Sequence, residues 1–334
     1  MFRKIINVLL LCVIVFGIST SKVSAENEND FKISIKAVEA NDSQVVVALL
    51  GENLQDLYAY EVKLQFDSTK LKVVKGEVSL KGFLVSPIVD GNNLTMAFTK
   101  IGKIAGEKGT VELGKITFES KKVGTSKLNW NSIILLDSDL TKQELKLNQN
   151  LVYTKYFDDI VKHWAKDDIM LMVDAGVVQG MTDKLYGPQQ NITRAQFAAL
   201  LSRALKLNEA GTNPFKDVKA GVWYEGVVSG AYNAGLIQGV SEDSFAPDQP
   251  ITREQMATMI ARAFAHIKGT TFESLQEANI QFVDRQNIST WAAKGVGIAV
   301  KENLMKGKTN NQFVPNEKTT RAEAAVVIKR LLQN

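Results

Sequence analysis

Three arginines recur at matched positions in the second half of this 334-residue chain: Arg194 in ITRAQF, Arg253 in ITREQM and Arg321 in TTRAEA. A guanidinium is a planar fork of donors that grips a carboxylate with two prongs, where a lysine offers a point charge. Thr193, Thr252 and Thr320 precede the arginines, and Gln196, Gln255 and Glu323 stand three residues after each threonine. That is the capping-box spacing, so each arginine is expected at the first position of a helix. A helix start carries partial positive charge and free N–H groups, which favour an anion and disfavour a cation. An arginine held there three times calls for a negative partner, either in the fold or on a ligand. Three residues before Phe197, Arg194 lies about 60° round the helix, inside the apolar arc and away from open solvent.

Six of the seven arginines beyond residue 26 fall at two repeating positions; the second set, nine residues after the first, is Arg203, Arg262 and Arg330. Nine residues are half a turn of azimuth, so the two sets cannot serve one site on their own helix, and the second is read as surface or inter-repeat pairs. Catalytic constellations are missing from the sequence. The only histidines are His163 and His266, and the single cysteine, Cys12, lies in the apolar start of the chain. No metal-ligand spacing, phosphate-cradling loop or nucleophile elbow is present, so no enzyme activity, cofactor or metal is expected.

The start of the chain reads as a secretory signal. MFRK is basic, Ile5 to Ile18 is largely apolar, and Val23, Ser24 and Ala25 form a small-residue cleavage site, which places residues 1–25 in a signal peptide cut before Glu26. Losing Arg3, Lys4 and Lys22 brings the formal charge of +4 down to about +1. No basic field remains to hold nucleic acid, and no later run is apolar enough to hold the mature chain in a membrane. An exported chain without cysteine must be held by its core.

Aligned on the arginines, the second half falls into three copies. Trp164, Trp223 and Trp291 stand thirty residues earlier, Gly180, Gly239 and Gly307 fourteen, and Pro188, Pro247 and Pro315 six. Tyr186, Phe245 and Phe313 precede those prolines by two residues, and FDD, FKD and FVD supply Asp159, Asp217 and Asp284. Offsets held three times mark a structural repeat. Each copy reads as helix, loop, helix. The first helix buries residues such as Ile169, Met172 and Ala175 and stops at Gly176, Gly235 or Asn303, residues that tolerate a left-handed cap. The second carries the apolar stripe Phe197, Leu200, Leu201, Ala204, Leu205, repeated at Met256, Met259, Ile260, Ala263, Phe264 and at Ala324, Val327, Ile328, Leu331, Leu332.

The F-x-D start, the tryptophan, AGVVQG and AGLIQG, Y/F-x-P and TRAQ, TREQ and TRAE together resemble the S-layer homology (SLH) domain, over about residues 156–334. The resemblance implies an all-α, three-repeat unit with a pseudo-threefold helix bundle, divided as residues 153–207, 208–267 and 268–334. It implies non-covalent binding of secondary cell-wall polysaccharide, commonly pyruvylated, in grooves between repeats. The motif arginines Arg194, Arg253 and Arg321 would then meet the pyruvate carboxylate. Asp159, Asp217 and Asp284, the three tryptophans, and Gly180, Gly239 and Gly307 complete the candidate ligand-binding set. Within that set, the aspartates are also candidate partners of the arginine of their own copy. A tryptophan at a helix start is read first as a packing anchor, and the glycines either let the backbone approach a ligand or form the turn. The third copy departs from the pattern, with Lys306 before Gly307, Asn303 for glycine, and 68 residues between arginines against 59 earlier, owing to HIKGTTFESLQEANI. Its groove is the least secure of the three.

Residues 26–152 differ. FKISIKAV, QVVVALL, YAYEVKLQF, LTMAFT, VELGKITFES and SKLNW are short, mostly alternating runs separated by DGNN, KIGKIAGEKG and KKVG. They read as an antiparallel β-sandwich. YAYEVKLQFDSTKLKVVKG and GTVELGKITFESKKVGTSKLNW resemble strands of cohesin modules, jelly-roll sandwiches that receive dockerin domains. The joint expectation is a secreted protein of the bacterial cell surface: the repeats hold the wall polymer and the sandwich displays a face for dockerin-bearing proteins. The alternative is a structural surface-layer protein whose sandwich makes only lattice or spacer contacts.

Overall fold

The structure, a computed structural model, describes residues 31–41, 43–209 and 211–334; the expected signal segment lies outside them. The chain divides after Tyr156 into two compact units. No described helix is long and apolar enough to cross a membrane.

The first unit is an all-β sandwich. Its strands are β1 (Lys32–Ala40), β2 (Gln44–Leu57), β3 (Ala59–Phe66), β4 (Leu71–Glu77), β5 (Phe83–Asp90), β6 (Asn93–Thr99), β7 (Glu107–Ser120), β8 (Gly124–Leu136) and β9 (Lys142–Lys155). One sheet has the order β1-β2-β7-β4 and the other β5-β6-β3-β8-β9, with antiparallel pairing. Alternation places Tyr60, Val62, Leu64 and Phe66 of β3 in the core beside Trp130 and Phe118. The Tyr60 hydroxyl donates to the Leu113 carbonyl at 2.6 Å, so the buried ring keeps its polar tip satisfied, and burial pushes its pKa up. The six sequence runs omit β4, β5 and β9, of which β4 falls only inside the segment that resembles cohesin strands. β5 contains Pro87 and is largely exposed, because it is a sheet edge where alternation is not enforced and proline is tolerated. β9 continues to Lys155, past the expected end at 152, and KIGKIAGEKG is a loop only as far as the start of β7 at Glu107.

The second unit contains α1 (Lys166–Asp174), α2 (Arg194–Leu205), α3 (Glu225–Asn233), α4 (Arg253–Ile267), α5 (Thr290–Lys301) and α6 (Arg321–Gln333). The helices α1, α3 and α5 are followed by Gly176 (φ 72°), Gly235 (φ 72°) and Asn303 (φ 56°), all left-handed as expected. The helices α2, α4 and α6 start at the arginines, and each has a complete capping box. The apolar stripes are buried apart from their ends. Leu332 and Ala175 are exposed and Ala204 and Leu205 half-buried, all at or just past the C-terminal ends of their helices. Packing runs from copy to copy: α2 lies on α3, α4 on α5, and α6 on α1. Bridges at Thr193–Pro250, Thr252–Lys318 and Asn191–Thr320 join the second-helix starts in the same cyclic sense.

Candidate ligand grooves

The starts of α2, α4 and α6 are not open anion seats. The N–H groups of Arg194 and Ala195 donate to the carbonyls of Gln249 (2.9 Å) and Pro247 (3.0 Å). Those of Arg253 and Glu254 go to Glu317 (3.0 Å) and Pro315 (3.1 Å), and those of Arg321 and Ala322 to Gln190 (2.8 Å) and Pro188 (3.1 Å). The next N–H of each helix is taken by the capping threonine. The proline loop of the following copy thus supplies acceptors for the N–H groups, from the fold and not from a ligand, the two sources the sequence left open.

The guanidiniums reach into that same loop. Arg194 donates through Nε to the Phe245 carbonyl (2.8 Å) and through Nη2 to the Gln238 carbonyl (3.0 Å). Arg253 does so to Phe313 (2.8 Å) and Lys306 (3.0 Å), and Arg321 to Tyr186 (2.9 Å) and Gln179 (2.7 Å). Each also covers the ring of the aromatic residue it grips, at 4.7, 5.2 and 4.7 Å from the ring centre. Within the fold, the partner common to the three arginines is therefore a pair of carbonyl oxygens and a ring face, contributed by the next copy.

Pairing of Arg194 with Asp159 inside one copy does not occur. Each aspartate holds the proline loop of its own copy. Asp217 accepts from the N–H groups of Phe245 (2.9 Å) and Ala246 (2.8 Å), Asp284 from those of Phe313 and Val314 (both 2.8 Å), and Asp159 from those of Tyr186 (2.9 Å) and Gly187 (2.7 Å). One aromatic residue thereby has an aspartate on its N–H and an arginine on its C=O, so the two charges strengthen each other's hydrogen bonds through it. The following residue is left-handed in every copy: Gly187 (φ 73°), Ala246 (φ 57°) and Val314 (φ 56°). For a β-branched valine this is a costly conformation, and the grip of Asp284 sustains it.

Arg194 is buried, 3% exposed, and burial pushes its pKa down to about 10 against the opposing field of Asp217. Burial works upward on the Asp217 carboxyl, yet the bonds from Phe245, Ser244 and Ala246 outweigh it and hold the group below the usual carboxylate range. Both remain charged at neutral pH.

Three cavities border these staples, each built from all three copies. The first, about 410 Å³, joins Arg194 to Gly239 and Arg262 of the second copy and Trp291 of the third. The second, about 160 Å³, joins Arg253 to Gly307 and Arg330 of the third and Trp164 of the first. The third, about 170 Å³, joins Arg321 to Gly180 and Arg203 of the first and Trp223 of the second. The arginine, glycine and tryptophan of one copy thus serve three different cavities.

The tryptophans are not packing anchors. Trp164, Trp223 and Trp291 are 67, 60 and 56% exposed, because each sits at the outer side of a first-helix start with its ring beside a cavity mouth. The glycines have a packing reason. A Cβ on Gly180 would run into the Phe157 ring and the Thr182 carbonyl, and one on Gly239 into the carbonyls of Ser241 and Ser244. His163 accepts the Ala165 N–H at Nδ1 (3.2 Å) and stacks near Trp164, a local capping role. Sequence reasoning missed Arg203, Arg262 and Arg330 as cavity walls. Their half-turn offset is real on one helix, but each cavity combines the first arginine of one helix with the second arginine of the next.

The cavity at Arg253 differs in holding a carboxylate: Glu323 stands 3.4 Å from Arg253 Nη1 and 3.2 Å from Lys308 Nζ. Its counterparts in the other two cavities are Gln255 and Gln196. This is the cavity built on the divergent third copy.

The S-layer homology domain matches residues 156–198, 214–257 and 281–325. Among similar proteins, an amylopullulanase of Thermoanaerobacterium thermosulfurigenes is 38% identical over 182 residues, 54% of this chain and 10% of the relative. Exoglucanase XynX of Acetivibrio thermocellus is 38% identical over 178 residues, 53% of this chain and 16% of its own length. The surface-layer 125 kDa protein of Lysinibacillus sphaericus is 33% identical over 177 residues, 52% of this chain and 14% of its length. The chain thus spans well under a fifth of these relatives. Among solved structures, a cohesin–dockerin complex of Clostridium thermocellum is similar at 17% identity and a TM-score of 0.32, covering 36% of this chain and 96% of that one. A cohesin module of a Clostridium perfringens glycoside hydrolase is similar at 16% identity, also with a TM-score of 0.32, covering 37% and 95%. The segments matched by the family coincide with the three copies that build the grooves, and residues 156–325 therefore carry three S-layer homology domains behind an all-β sandwich.

Proposed function

We propose that this protein is a non-catalytic anchor of the bacterial cell surface, whose helical unit binds secondary cell-wall polysaccharide through pyruvate ketals in the three grooves. The carrying observation is the repeated pairing of a charged arginine edge with an exposed tryptophan ring at each cavity. Arginine offers a carboxylate two-pronged donors beyond those used on the loop, and an aromatic face suits the apolar face of a sugar ring. Three repeats in pseudo-threefold order, divided near residues 153–207, 208–267 and 268–334, form the binding unit. Because no copy completes a groove alone, the three act as one module. Multiple grooves on one polymer give retention by avidity.

The sandwich displays a docking face for dockerin-type partners. Its candidate surface is one face of the five-stranded sheet, where Phe83, Val85 and Ile88 of β5 are 57, 38 and 60% exposed beside the small residues Thr99, Ala97 and Thr95 of β6. Exposed apolar side chains beside a flat, small-residue strip suit a protein partner. The resemblance of two segments to cohesin strands supports this use. The second reading, a surface-layer component with a spacer sandwich, draws on the likeness to the Lysinibacillus surface-layer protein.

Co-sedimentation with purified sacculi tests the anchor. The variant Trp164→Ala/Trp223→Ala/Trp291→Ala is expected to fold normally, since the rings are mostly exposed, and to lose retention on sacculi. Sacculi stripped of pyruvate are expected to release the unaltered protein. Undiminished retention in both arms would remove the grooves and the ketal from the reading.

A further inference from the structure

The three grooves are unequal, and the longer link of the third copy braces one of them. The groove at Arg194, at about 410 Å³, alone falls in the size range of small-molecule sites. Its second arginine, Arg262, is braced. The guanidinium carbon lies 5.3 Å from the ring centre of Phe272, and Lys294 Nζ lies 5.8 Å from the same ring. Phe272 belongs to the stretch that makes the Arg253–Arg321 interval 68 residues against 59. That stretch is fastened to α5: Lys294 donates to the Glu273 carbonyl (2.6 Å), Lys301 to that of Gln276 (3.1 Å), and Ala278 N–H to Gly297 (3.2 Å). Among the cation–ring contacts of the described residues, none involves Arg203 or Arg330.

Both arginines of this groove grip one residue. Arg194 Nη2 takes the Gln238 backbone carbonyl at 3.0 Å, and Arg262 Nη2 takes the Gln238 side-chain oxygen. The two forks are therefore held apart by a fixed spacer and border the same cavity. Gln255 stands here where Glu323 crowds Arg253, and among the described residues none that lines the wall is acidic.

We infer that the Arg194 groove is an extended subsite for two consecutive sugar units of an anionic glycan, the carboxylate-bearing unit at Arg194 and its neighbour at Arg262, while the other two grooves each take one unit. This rests on the anionic-glycan reading proposed above. Arg262 is a specificity-determining residue, and Phe272 positions it.

Isothermal titration of the full chain tests this with two probes: a methyl hexoside bearing a pyruvate ketal, and a disaccharide with the same ketal on one unit. The disaccharide is expected to bind one site about tenfold more tightly than the monosaccharide, the return from one added charge-assisted contact. Arg262→Gln and Phe272→Ala are each expected to bring the two probes within about twofold, the larger part of the loss falling on the disaccharide. Arg203→Gln and Arg330→Gln are expected to leave the disaccharide preference intact. Should Phe272→Ala disturb folding by circular dichroism, Arg262→Gln decides alone. A disaccharide that binds no better than the monosaccharide, or a preference that Arg203→Gln abolishes equally, overturns the extended subsite while leaving the anionic-glycan reading standing. If neither probe binds the unaltered protein, that reading fails and the inference fails with it.

Discussion

Replacing Arg194 by alanine is expected to loosen the helical unit as well as the groove. The change removes two charge-assisted hydrogen bonds, to the Phe245 carbonyl at 2.8 Å and the Gln238 carbonyl at 3.0 Å. Such bonds contribute roughly 1.5–3 kcal/mol each, and a desolvated cation–ring contact about 1–2 more. Two effects work the other way. The guanidinium no longer bears the burial that pushes its pKa down to about 10. Water entering from the groove re-solvates the two carbonyls. A net loss of about 2–4 kcal/mol remains, which for a unit of this size lowers the melting temperature by roughly 5–12 °C.

The assay is thermal unfolding followed by circular dichroism at the helical band, to which the sandwich contributes little. Arg194→Lys reaches one carbonyl at most and is expected to lose about half as much. Arg321→Ala breaks equivalent bonds at a half-exposed position and is expected to cost less than Arg194→Ala. Asp217→Asn combined with Arg194→Ala is expected to be less than additive by about 1 kcal/mol, since both charges act on Phe245. An Arg194→Ala protein that melts within about 1 °C of the unaltered one but no longer binds sacculi refutes the staple and returns the arginine wholly to the ligand.

Three further outcomes follow from the same geometry. Asp217 has a depressed pKa in the folded state, so its stabilisation is complete above the unfolded value of about 3.9 and is lost as pH falls through the folded one. The melting temperature of the unaltered protein should therefore drop more steeply below about pH 4 than that of Asp217→Asn, and parallel profiles would count against the aspartate's grip. Trp164→Ala should couple in polymer binding to Arg253→Lys, which shares its cavity, and combine additively with Arg194→Lys from its own copy; the reverse pattern would contradict cavities built across copies. Phe83→Lys/Ile88→Lys should abolish capture of a dockerin-bearing partner without moving the melting of the sandwich, and unimpaired capture would exclude that sheet face.

What could be read from the sequence was what depends on near neighbours. The capping boxes at Thr193, Thr252 and Thr320, the left-handed stops at Gly176, Gly235 and Asn303, and the apolar stripes apart from their ends are set by residues a few positions apart, and they stand as expected. The strands with one buried face were legible for the same reason, while β5, exposed on a sheet edge, carries no alternation to read. The partners of the arginines were not legible. Arg194 meets acceptors 44 and 51 residues away that are backbone carbonyls, and a carbonyl leaves no mark on residue type. The fixed thirty-residue offset from tryptophan to arginine shows only that the copies match, not which residues of different copies meet. In the fold α2 packs on α3, α4 on α5, and α6 on α1, and this places each tryptophan beside the arginine of another copy.

The repeated arginine at a helix start can now be explained physically. The helix start gives up its free N–H groups to the next copy's proline loop, and the guanidinium takes the carbonyls that the same loop leaves over. With the N–H groups already paired to carbonyl oxygens, the positive helix end is offset locally, and the cation next to it costs less than at an open terminus. The aspartate on the far side of the aromatic residue supplies the negative charge that the sequence pattern demanded, at one remove through the backbone. A charge pair split across copies in this way ties ring closure to cavity formation. The staple that holds two copies together is the same group whose outer edge borders the groove, so a groove can exist only where the neighbouring copies are joined.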